Sequence, residues 1–290
     1  VNKTLSEKRW LASGPENEAF EKEFAEYIGV GHAVTCNSGS GANLLSLTAL
    51  RKKPGMKVMS GAAGFPATVG PILHLRFKPV LIDYRLETHN LDTLEALDKI
   101  SEVDAAIVAH SLGNPVDILP LKTFVPVIED CCEAVGSKLN GMYVGSFGTV
   151  GTFSFYPAHQ MTCEGTGGMI VTNNEQLAKE CRSLRDWGKV WDWDTKLGDN
   201  TTTYNSTVDG IKYFKHYTYD NIGYNMKLSE TACAFGRVQL RKLDRIRERR
   251  IKNYNYLLDK LEPLDIFHLV MPQDGSEPSW FGFPLTLKKS

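Results

Sequence analysis

The stretch HAVTCNSGSGANLLSLTAL, residues 32–50, combines the two patterns that decide the fold. Its first five residues form a short apolar run, a turn of small residues follows, and the remainder has the apolar spacing of a helix. The same alternation returns in residues 57–75 and 79–100, and four more apolar runs follow: AAIVAH, PVIED, GTFSFY and GMIVT. Short strands alternating with helices are typical of a mostly parallel sheet with crossover helices, so we predict an α/β fold.

The overall composition narrows the function classes. The 290 residues have a formal net charge of −1, with acids and bases interspersed, which argues against a nucleic-acid-binding protein. The basic cluster RIRERRIK, residues 245–252, is interpreted as a solvated helix surface. Because neither a long apolar run nor a signal peptide is evident, a cytoplasmic protein is expected. The six cysteines lack regular spacing and are predicted to be reduced thiols.

Composition along the chain predicts two domains. We predict a large domain over residues 1–224, interrupted by a polar surface insertion at about 189–219, and the start of a small C-terminal domain over residues 225–290. Ser229 is a candidate cap for one long helix, or two consecutive helices, that continue to Leu261. The final run SWFGFPLTL is predicted to be a strand that lacks its partners, so a fragment is expected.

Two segments are candidates for holding a ligand. Residues 37–42, NSGSGA, lie between a strand and a helix, where backbone N–H groups and small hydroxyls can approach a phosphate; a plain tight turn with a serine cap explains them equally well. Asp130 ends the apolar run VPVIED at the carboxyl end of a predicted parallel strand, where α/β sheets bind their ligands. Its alternative role is to cap a helix.

A third segment, FSFYPAHQMTCEGTGG at residues 153–168, carries a family resemblance. The word SFYPA and the Gly-Gly pair that opens MIVT resemble the cofactor-lysine segment of the DegT/DnrJ/EryC1/StrS sugar aminotransferases, and the resemblance runs from about Leu11 to Leu287. It implies a pyridoxal-phosphate-dependent, aspartate-aminotransferase-like fold (fold type I). Where the family has a lysine that forms a Schiff base with the cofactor, this chain has His159.

The same lysine-to-histidine exchange occurs in one branch of the family, the deoxysugar 3-dehydratases, which this segment resembles. Imidazole cannot form a Schiff base, so the resemblance implies non-covalent pyridoxamine phosphate, or pyridoxal phosphate, with His159 as a base near neutral pH. The implied reaction is loss of the C3 hydroxyl from a nucleotide-linked 4-keto-6-deoxyhexose, in deoxysugar biosynthesis of the kind that builds lipopolysaccharide O-antigens. The alternative is that His159 is an ordinary loop histidine in an inactive relative.

The resemblance also implies roles for the other candidate residues. The phosphate would be held by Ser38, Gly39, Ser40 and Ser154; the ring by Asp130 at its nitrogen, Phe65 on its face and Asn114 at its hydroxyl. Asn225 matches a residue that reaches the phosphate of the neighbouring subunit, which implies a homodimer with shared active sites. His110 is interpreted as a loop histidine whose hydrogen bonds are satisfied.

The chain departs from the family at two points. One type of 3-dehydratase holds an iron-sulfur cluster with four cysteines, two of them in a C-W-C word after RDWG, whereas this chain reads KVWDW at residues 189–193. Only Cys132 falls near an expected ligand position, so we predict no cluster and no other metal site. The turn CEGTGG is also one residue longer than the family's usual ending, which leaves the geometry behind His159 open.

Two competing functions remain. A sugar aminotransferase would need a different lysine, and none lies between Lys138 and Lys179. A non-catalytic relative that binds a nucleotide-sugar would have no chemical need for Asp130 and His159 together. The sequence leaves open the sugar, the nucleotide, and whether glutamate or a reductase completes the cycle.

Overall fold

The computed structural model describes residues 2–6, 11–51, 53–190, 206–213 and 217–288. The helices are α1 (Asn2–Ser6), α2 (Pro15–Ile28), α3 (Gly39–Ala49), α4 (Pro66–His74), α5 (Thr93–Asp98), α6 (Leu119–Lys122), α7 (Glu175–Arg185), α8 (Glu230–Leu240) and α9 (Leu243–Leu261). The strands are β1 (His32–Cys36), β2 (Lys57–Gly61), β3 (Lys78–Ile82), β4 (Tyr84–Arg85), β5 (Asn90–Leu91), β6 (Ala105–Ala109), β7 (Val127–Asp130), β8 (Lys138–Leu139), β9 (Met142–Tyr143), β10 (Val150–Ser154), β11 (Gly168–Thr172), β12 (Ser206–Val208), β13 (Ile211–Tyr213), β14 (Phe267–His268), β15 (Ser276–Glu277) and β16 (Thr286–Leu287).

A seven-stranded sheet forms the centre of the fold, in the order β1, β11, β10, β7, β6, β2, β3. The strands from β10 to β3 pair in parallel, whereas β11 runs antiparallel to both β10 and β1. The register sets Asp130 opposite Ala109 on one side and opposite Thr152 on the other. The predicted mostly parallel α/β sheet is confirmed, and Asp130 lies at the carboxyl end of its strand.

The central strands are buried along almost their whole length because both faces of the sheet are covered. In β6, Ala106 and Val108 join one buried cluster, while Ala105 and Ile107 join a second. This is the alternation that a strand imposes, since successive side chains point to opposite faces. The two clusters are therefore hydrophobic cores on opposite faces of the sheet. Asp130, at the carboxyl end of the central strand β7, lies between them.

Polar side chains cap the first turn of several helices, and one of these caps is distant in sequence from its helix. Ser229 accepts a hydrogen bond from the Ala232 amide and begins α8, as the sequence predicted, and α9 follows as a second, consecutive helix. The α2 helix begins without a side-chain cap of its own. Its cap comes instead from the buried carboxylate of Glu230, which accepts from the amides of Gly14, Glu16 and Asn17.

The predicted insertion at 189–219 lies partly outside the described residues. Its described portion includes the hairpin of β12 and β13, and an isolated bridge joins Lys189 to Tyr219 at its ends. The proposed division into domains at residues 224 and 225 stays a prediction.

The strand predicted for SWFGFPLTL is wrong for most of its length. Only Thr286 and Leu287 are in a strand, β16, which pairs with β14. In the earlier part, Trp280 stacks on Tyr254 with ring centroids 3.7 Å apart. The carbonyls of Trp280 and Phe281 both accept from Arg250. Because side chains satisfy this backbone, it needs no strand partner.

The interpretation of RIRERRIK as a solvated surface is also partly wrong. Arg245, Arg249 and Lys252 are exposed, but Arg247 pairs with Glu277 and Arg250 is half-buried against the C-terminal segment. Residues three apart share a helix face, so these two arginines turn inward together.

The cysteines agree with their sequence interpretation. All six are free, and all except Cys132 are buried. Among the described helices, none combines the length and apolar character needed to cross a membrane.

Candidate functional site

The carboxylate of Asp130 is held by three donors at the end of β7. Asn43 Nδ2 and Thr68 Oγ1 both donate to Oδ2, at 2.8 and 2.7 Å, and the amide of Cys132 donates to Oδ1 at 3.1 Å. Only 5% of Asp130 is exposed. Charge-assisted hydrogen bonds of this kind hold a buried carboxylate in one orientation. Asp130 therefore presents a fixed anionic oxygen at the edge of the sheet.

A small-residue cradle lies beside Asp130, where β1 leads into α3. Ser38 caps α3 by accepting from the Gly41 amide at 3.0 Å, so the amides of Gly39 and Ser40 have no acceptor within the helix. A Cβ on Gly39 would lie 2.6 Å from the Cβ of Ser154 and 2.7 Å from the Sγ of Cys132. Glycine is required at residue 39 because β10 and the turn after β7 approach the backbone so closely.

His159 lies in the loop after β10, on the same segment as Ser154. Its ring faces Phe281 at a centroid distance of 5.3 Å and Tyr156 at 6.3 Å. Its Nδ1 atom is buried and has no hydrogen-bond partner. Burial lowers the pKa of His159; the negative charge of Asp130 opposes this shift and the positive charge of Arg250 adds to it. The imidazole is thus neutral near pH 7 and has a free nitrogen.

Three further titratable groups surround Asp130 that the sequence analysis did not assign. Burial, the main cause, and the neighbouring charge of Asp130 both raise the pKa of the Glu133 carboxyl. Cys132 is partly buried, and its removal from solvent together with the charge of Asp130 holds the pKa of its thiol well above the usual value. Burial raises the pKa of Tyr84 too, with smaller contributions from Asp130 and Glu133. Clusters of perturbed groups of this kind mark functional sites more often than other surfaces.

Phe65 and Thr68 stand on the same turn of the chain as it enters α4. Phe65 is the residue before the helix, and its ring is 69% exposed on this chain. It lines a cavity that Thr68 and Tyr84 also line. The side chain of Thr68 reaches from this cavity to Asp130. Thr68 therefore links Phe65, the residue predicted to stack on the cofactor ring, to Asp130, the predicted partner of the ring nitrogen.

Asn114 and Asn225 lie in different surroundings. The amide nitrogen of Asn114 donates to the carbonyls of Thr88 and Met271, whereas its Oδ1 is buried without a partner. A contact with a ring hydroxyl would have to use that oxygen. Asn225 is exposed and joins Asp186 through an isolated bridge. Ser40 is exposed in the first turn of α3.

The turn at residues 163–168, which follows His159, contacts residues 37–39 of the candidate phosphate-binding segment. Glu164, Gly165 and Gly167 have positive φ angles of 57°, 89° and 113°. Within the turn, the Gly167 amide and the Thr166 hydroxyl both donate to the carbonyl of Asn37. The extra residue is accommodated by left-handed backbone, and the turn supports residues 37–39 from behind.

His110 belongs to a structural cluster. Its Nδ1 accepts from the Val116 amide and its Nε2 contacts the Glu129 carboxylate at 3.0 Å, as expected for a satisfied loop histidine. Glu129 also accepts from the amides of Gly145 and Gly148. In the parts of the chain that the structure describes, His110, Glu129 and Cys131 are the group with metal-ligand spacing. Because their donors are already engaged inside the protein, this group anchors a loop.

The structure thus brings together Ser38, Gly39, Asp130 and Ser154, with His159 close enough to Asp130 to sense its charge. Sequence reasoning missed Asn43, Thr68 and Glu133. Asn43 directly follows the motif at residues 37–42, and this position next to the motif is the feature of the sequence that could have identified it as a site residue. The partners of Thr68 and Glu133 come from other elements, and no sequence spacing reveals them.

This arrangement fits a phosphorylated pyridine ring. Because residue 39 lacks a side chain, the first amides of α3 lie close to the hydroxyl of Ser154, and such amides and hydroxyls bind phosphate groups. Asp130 offers an anionic oxygen to a protonated ring nitrogen. The buried, unpaired atoms of His159 and Asn114 are those that a bound ligand would satisfy.

Comparisons with known proteins agree with this chemistry. The profile of the DegT/DnrJ/EryC1/StrS aminotransferase family matches residues 1–290. The chain is 40% identical to the lipopolysaccharide biosynthesis protein RfbH of Salmonella typhimurium, covering 97% of this chain and 68% of that protein. It is 36% identical to a dTDP-4-dehydro-2,6-dideoxy-D-glucose 3-dehydratase of Saccharopolyspora spinosa, over 96% of this chain and 63% of the relative. It is 33% identical to a GDP-4-keto-6-deoxy-D-mannose 3-dehydratase of Yersinia pseudotuberculosis, over 99% and 74%.

Solved structures of enzymes that act on nucleotide-linked sugars also superpose on this chain. A variant of GDP-4-keto-6-deoxymannose-3-dehydratase with bound GDP-perosamine superposes with a TM-score of 0.89 at 27% identity, over 99% of this chain and 75% of that chain. The Escherichia coli GDP-4-keto-6-deoxy-D-mannose-3-dehydratase with bound hydrated PLP gives a TM-score of 0.88 at 28% identity, over 99% of this chain and 75% of that chain.

Nucleotide-sugar aminotransferases match in sequence as well, including one from Acidithiobacillus ferrooxidans at 31% identity, over 92% of this chain and 67% of that protein. The predicted fold and the predicted class of cofactor are thereby confirmed, and the chain belongs to the DegT/DnrJ/EryC1/StrS aminotransferase family.

Proposed function

We propose that this chain carries the activity of a pyridoxamine-phosphate-dependent 3-dehydratase that removes the C3 hydroxyl of a nucleotide-linked 4-keto-6-deoxyhexose. The observation that supports this most directly is His159, a half-buried neutral imidazole with a buried, unpartnered Nδ1, in the loop that follows the strand bearing Ser154. Several relatives are named as 3-dehydratases of such sugars.

The residues assigned to the cofactor have distinct tasks. Ser38, Gly39, Ser40 and Ser154 would bind the phosphate through helix-terminal amides and hydroxyls. Asp130 would hold a proton on the ring nitrogen, Asn114 Oδ1 would accept from the ring hydroxyl, and Phe65 would cover one face. When bound, pyridoxamine phosphate supplies an amine that links to the sugar ketone and a ring that accepts electrons.

His159 is assigned the proton transfers. With the cofactor and sugar bound, the neutral imidazole of His159 would accept a proton from the carbon next to the linking amine, and the resulting imidazolium would donate a proton to the departing C3 hydroxyl oxygen, which leaves as water. One residue can serve both ends because the two events follow one another. The rings of Phe281 and Tyr156 lie beside the ring of His159, at centroid distances of 5.3 and 6.3 Å.

We also propose a homodimer with shared active sites in the cytoplasm. Asn225 is exposed, and Ile222 and Tyr217 near it are 97% and 75% exposed. Apolar side chains exposed to this extent are typical of surfaces that a partner covers. In that dimer, Asn225 would contact the phosphate bound by the neighbouring subunit.

The competing function is amino transfer, for which a relative of similar identity is named. It requires a lysine that forms a covalent link with pyridoxal phosphate. The distinction is therefore testable without knowing the sugar: pyridoxal phosphate is added, the protein is treated with borohydride, and peptides are analysed by mass for a stoichiometric lysine adduct.

The direct test supplies pyridoxamine phosphate and a panel of GDP-, CDP- and dTDP-linked 4-keto-6-deoxyhexoses. Loss of the C3 oxygen from one sugar, detected by mass, with no lysine adduct, is the result we expect. A sugar that gains an amino group, together with a single modified lysine, would replace this proposal by an aminotransferase. Tight cofactor binding with every sugar unchanged would favour a non-catalytic relative.

A further inference from the structure

The hydrogen bonds around Asp130 extend beyond the residues that would touch a cofactor. Asn43 is 1% exposed and Thr68 is 7% exposed, and both donate to the same atom, Oδ2 of Asp130. The other oxygen, Oδ1, accepts from the backbone amide of Cys132, and the thiol of Cys132 lies beside the carboxylate. The side chains of Asn43 and Thr68 are therefore both fixed on Oδ2.

The orientation of the Asn43 amide is fixed by its own partners. Its Nδ2 lies 2.8 Å from Asp130 Oδ2 and 3.1 Å from the carbonyl of Ala67, and both of these atoms are acceptors. Its Oδ1 lies 2.6 Å from the hydroxyl of Thr152, which is a donor. A flipped amide would set an oxygen against two acceptors, so only the observed orientation is allowed.

Thr68 connects this network to the loop that carries Phe65. It lies in the first turn of α4, three residues after Phe65, and its hydroxyl donates to Asp130. The α3 helix supplies Asn43 and β10 supplies Thr152. Two elements, α3 and α4, thus converge on one carboxylate oxygen, and β10 holds Asn43 through Thr152. Thr68 also joins the ring-face residue to the ring-nitrogen residue.

We propose that Asn43 and Thr68 are positioning residues that turn Asp130 so that Oδ1 faces the pyridine nitrogen of the cofactor. They act on the cofactor only through Asp130. This inference rests on the proposed role of Asp130, but it does not depend on whether the enzyme dehydrates or transfers an amine. It adds Asn43 and Thr68 to the site as residues that contact Asp130 and not the ligand itself.

The test uses the full chain and compares two ligands by titration. Pyridoxamine phosphate has the ring nitrogen, and its 1-deaza analogue has a C–H in the same place. Loss of a hydrogen bond to a charged group costs about 1.5–3 kcal/mol, so Thr68→Val is expected to weaken binding of pyridoxamine phosphate about 10- to 100-fold. Binding of the deaza analogue is expected to stay unchanged. Thr68→Ser, which keeps the hydroxyl, should restore the affinity.

Asn43→Ala is expected to behave like Thr68→Val. In an Asp130→Asn background, either substitution should have little further effect, because the path to the ring nitrogen is already lost. Thr48→Val is the matched control, since this hydroxyl also lies on α3 but donates to Leu44 within the helix. Thermal unfolding without ligand checks that each variant is folded.

The outcomes separate the inference from the proposed function. Equal weakening of both ligands by Thr68→Val would mean a general structural role and would overturn the inference, as would no weakening of either. If Asp130→Asn itself fails to discriminate between the two ligands, the role of Asp130 is wrong and the inference is lost with it. If Asp130→Asn discriminates but Thr68→Val and Asn43→Ala do not, only the inference fails.

Discussion

At the scale of single residues, the chemistry of this chain depends on how its surroundings prepare His159. Partial burial lowers the pKa of the imidazole and keeps it neutral, and the rings of Phe281 and Tyr156 lie next to it. Arg250 is anchored to the carbonyls of Trp280 and Phe281, so its charge acts on His159 from a fixed place. A base needs a free lone pair at the working pH, and these contacts provide it.

Replacing His159 should separate catalysis from binding. General-base catalysis contributes about 10²- to 10⁴-fold to rate, so His159→Asn is expected to lower turnover of the active sugar by that factor. The dissociation constant for pyridoxamine phosphate should stay unchanged, because the proposed phosphate and ring contacts remain. The exposed His74 on α4 gives the control His74→Asn. Full activity in His159→Asn would remove His159 from the mechanism.

The pH dependence of the rate follows from the same side chain. A base is active when deprotonated, so the rate falls as pH drops through its pKa; because burial lowers the pKa of His159, this acidic limb should lie below the usual histidine value of about 6.5. Arg250→Gln removes a positive charge that lowers the pKa, and the limb in kcat/KM should move to higher pH. Arg249→Gln, an exposed neighbour on α9, should leave it in place. A limb that moves equally in both variants would contradict this account.

At the scale of elements, α2 depends on a residue more than 200 positions away in sequence. Its first amides converge on the buried carboxylate of Glu230, at the start of α8. A carboxylate at a helix N-terminus is favoured both by hydrogen bonding and by the helix dipole. The contact fastens the N-terminal segment to the pair of helices that leads to Arg250.

Removing this tertiary cap should destabilise the fold. Glu230→Ala leaves buried amides without acceptors and is expected to lower the free energy of unfolding by about 1.5–3 kcal/mol. The exposed Glu248 on α9 gives the control Glu248→Ala, which should change stability by less than about 0.5 kcal/mol. Urea denaturation followed by circular dichroism measures both. Equal stability of the two variants would show that solvent replaces the cap.

At the scale of the whole molecule, a buried ion network joins α2, α7 and β1. Glu21 pairs with Arg182 at 2.5 Å and with Arg185 at 2.9 Å, and it accepts from the amide of Thr35. Arg185 is 1% exposed. Burial alone would raise the pKa of Glu21, but the two arginines outweigh it and the net shift is downward. The carboxylate is therefore more stable in the folded state than in the unfolded chain.

This network predicts an acid-sensitive stability. A carboxyl with a lowered folded pKa contributes stability above its unfolded pKa of about 4.5 and loses it as pH falls through the lower folded value. Glu21→Gln leaves two arginines without their buried partner and should cost about 3–5 kcal/mol at neutral pH. It should also flatten the stability profile below pH 4.5. The exposed Glu26, tested as Glu26→Gln, should keep the wild-type profile. An unchanged profile in Glu21→Gln would assign the acid sensitivity to other carboxyls.

Much of the site could be predicted from sequence because it follows from local rules. A parallel strand ends at Asp130, a strand turns into a helix at Ser38, and the segment from Ser154 to His159 is continuous along the chain. Local patterning failed where side chains replaced backbone partners, as at Trp280 and Phe281. It failed again at Arg250, since a charged residue looks solvated until its acceptors are known.

The sequence by itself determined the alternation of strands and helices, the family, and the exchange of lysine for histidine at residue 159, because each is written in a contiguous pattern. Only the tertiary structure decided that Asn43 and Thr68 meet on one oxygen of Asp130, that Arg250 acts on His159, and that Glu230 caps α2. The physical reason is that these contacts join residues far apart in sequence. Their distances and orientations are set by how the elements pack, and no periodicity along the chain records them.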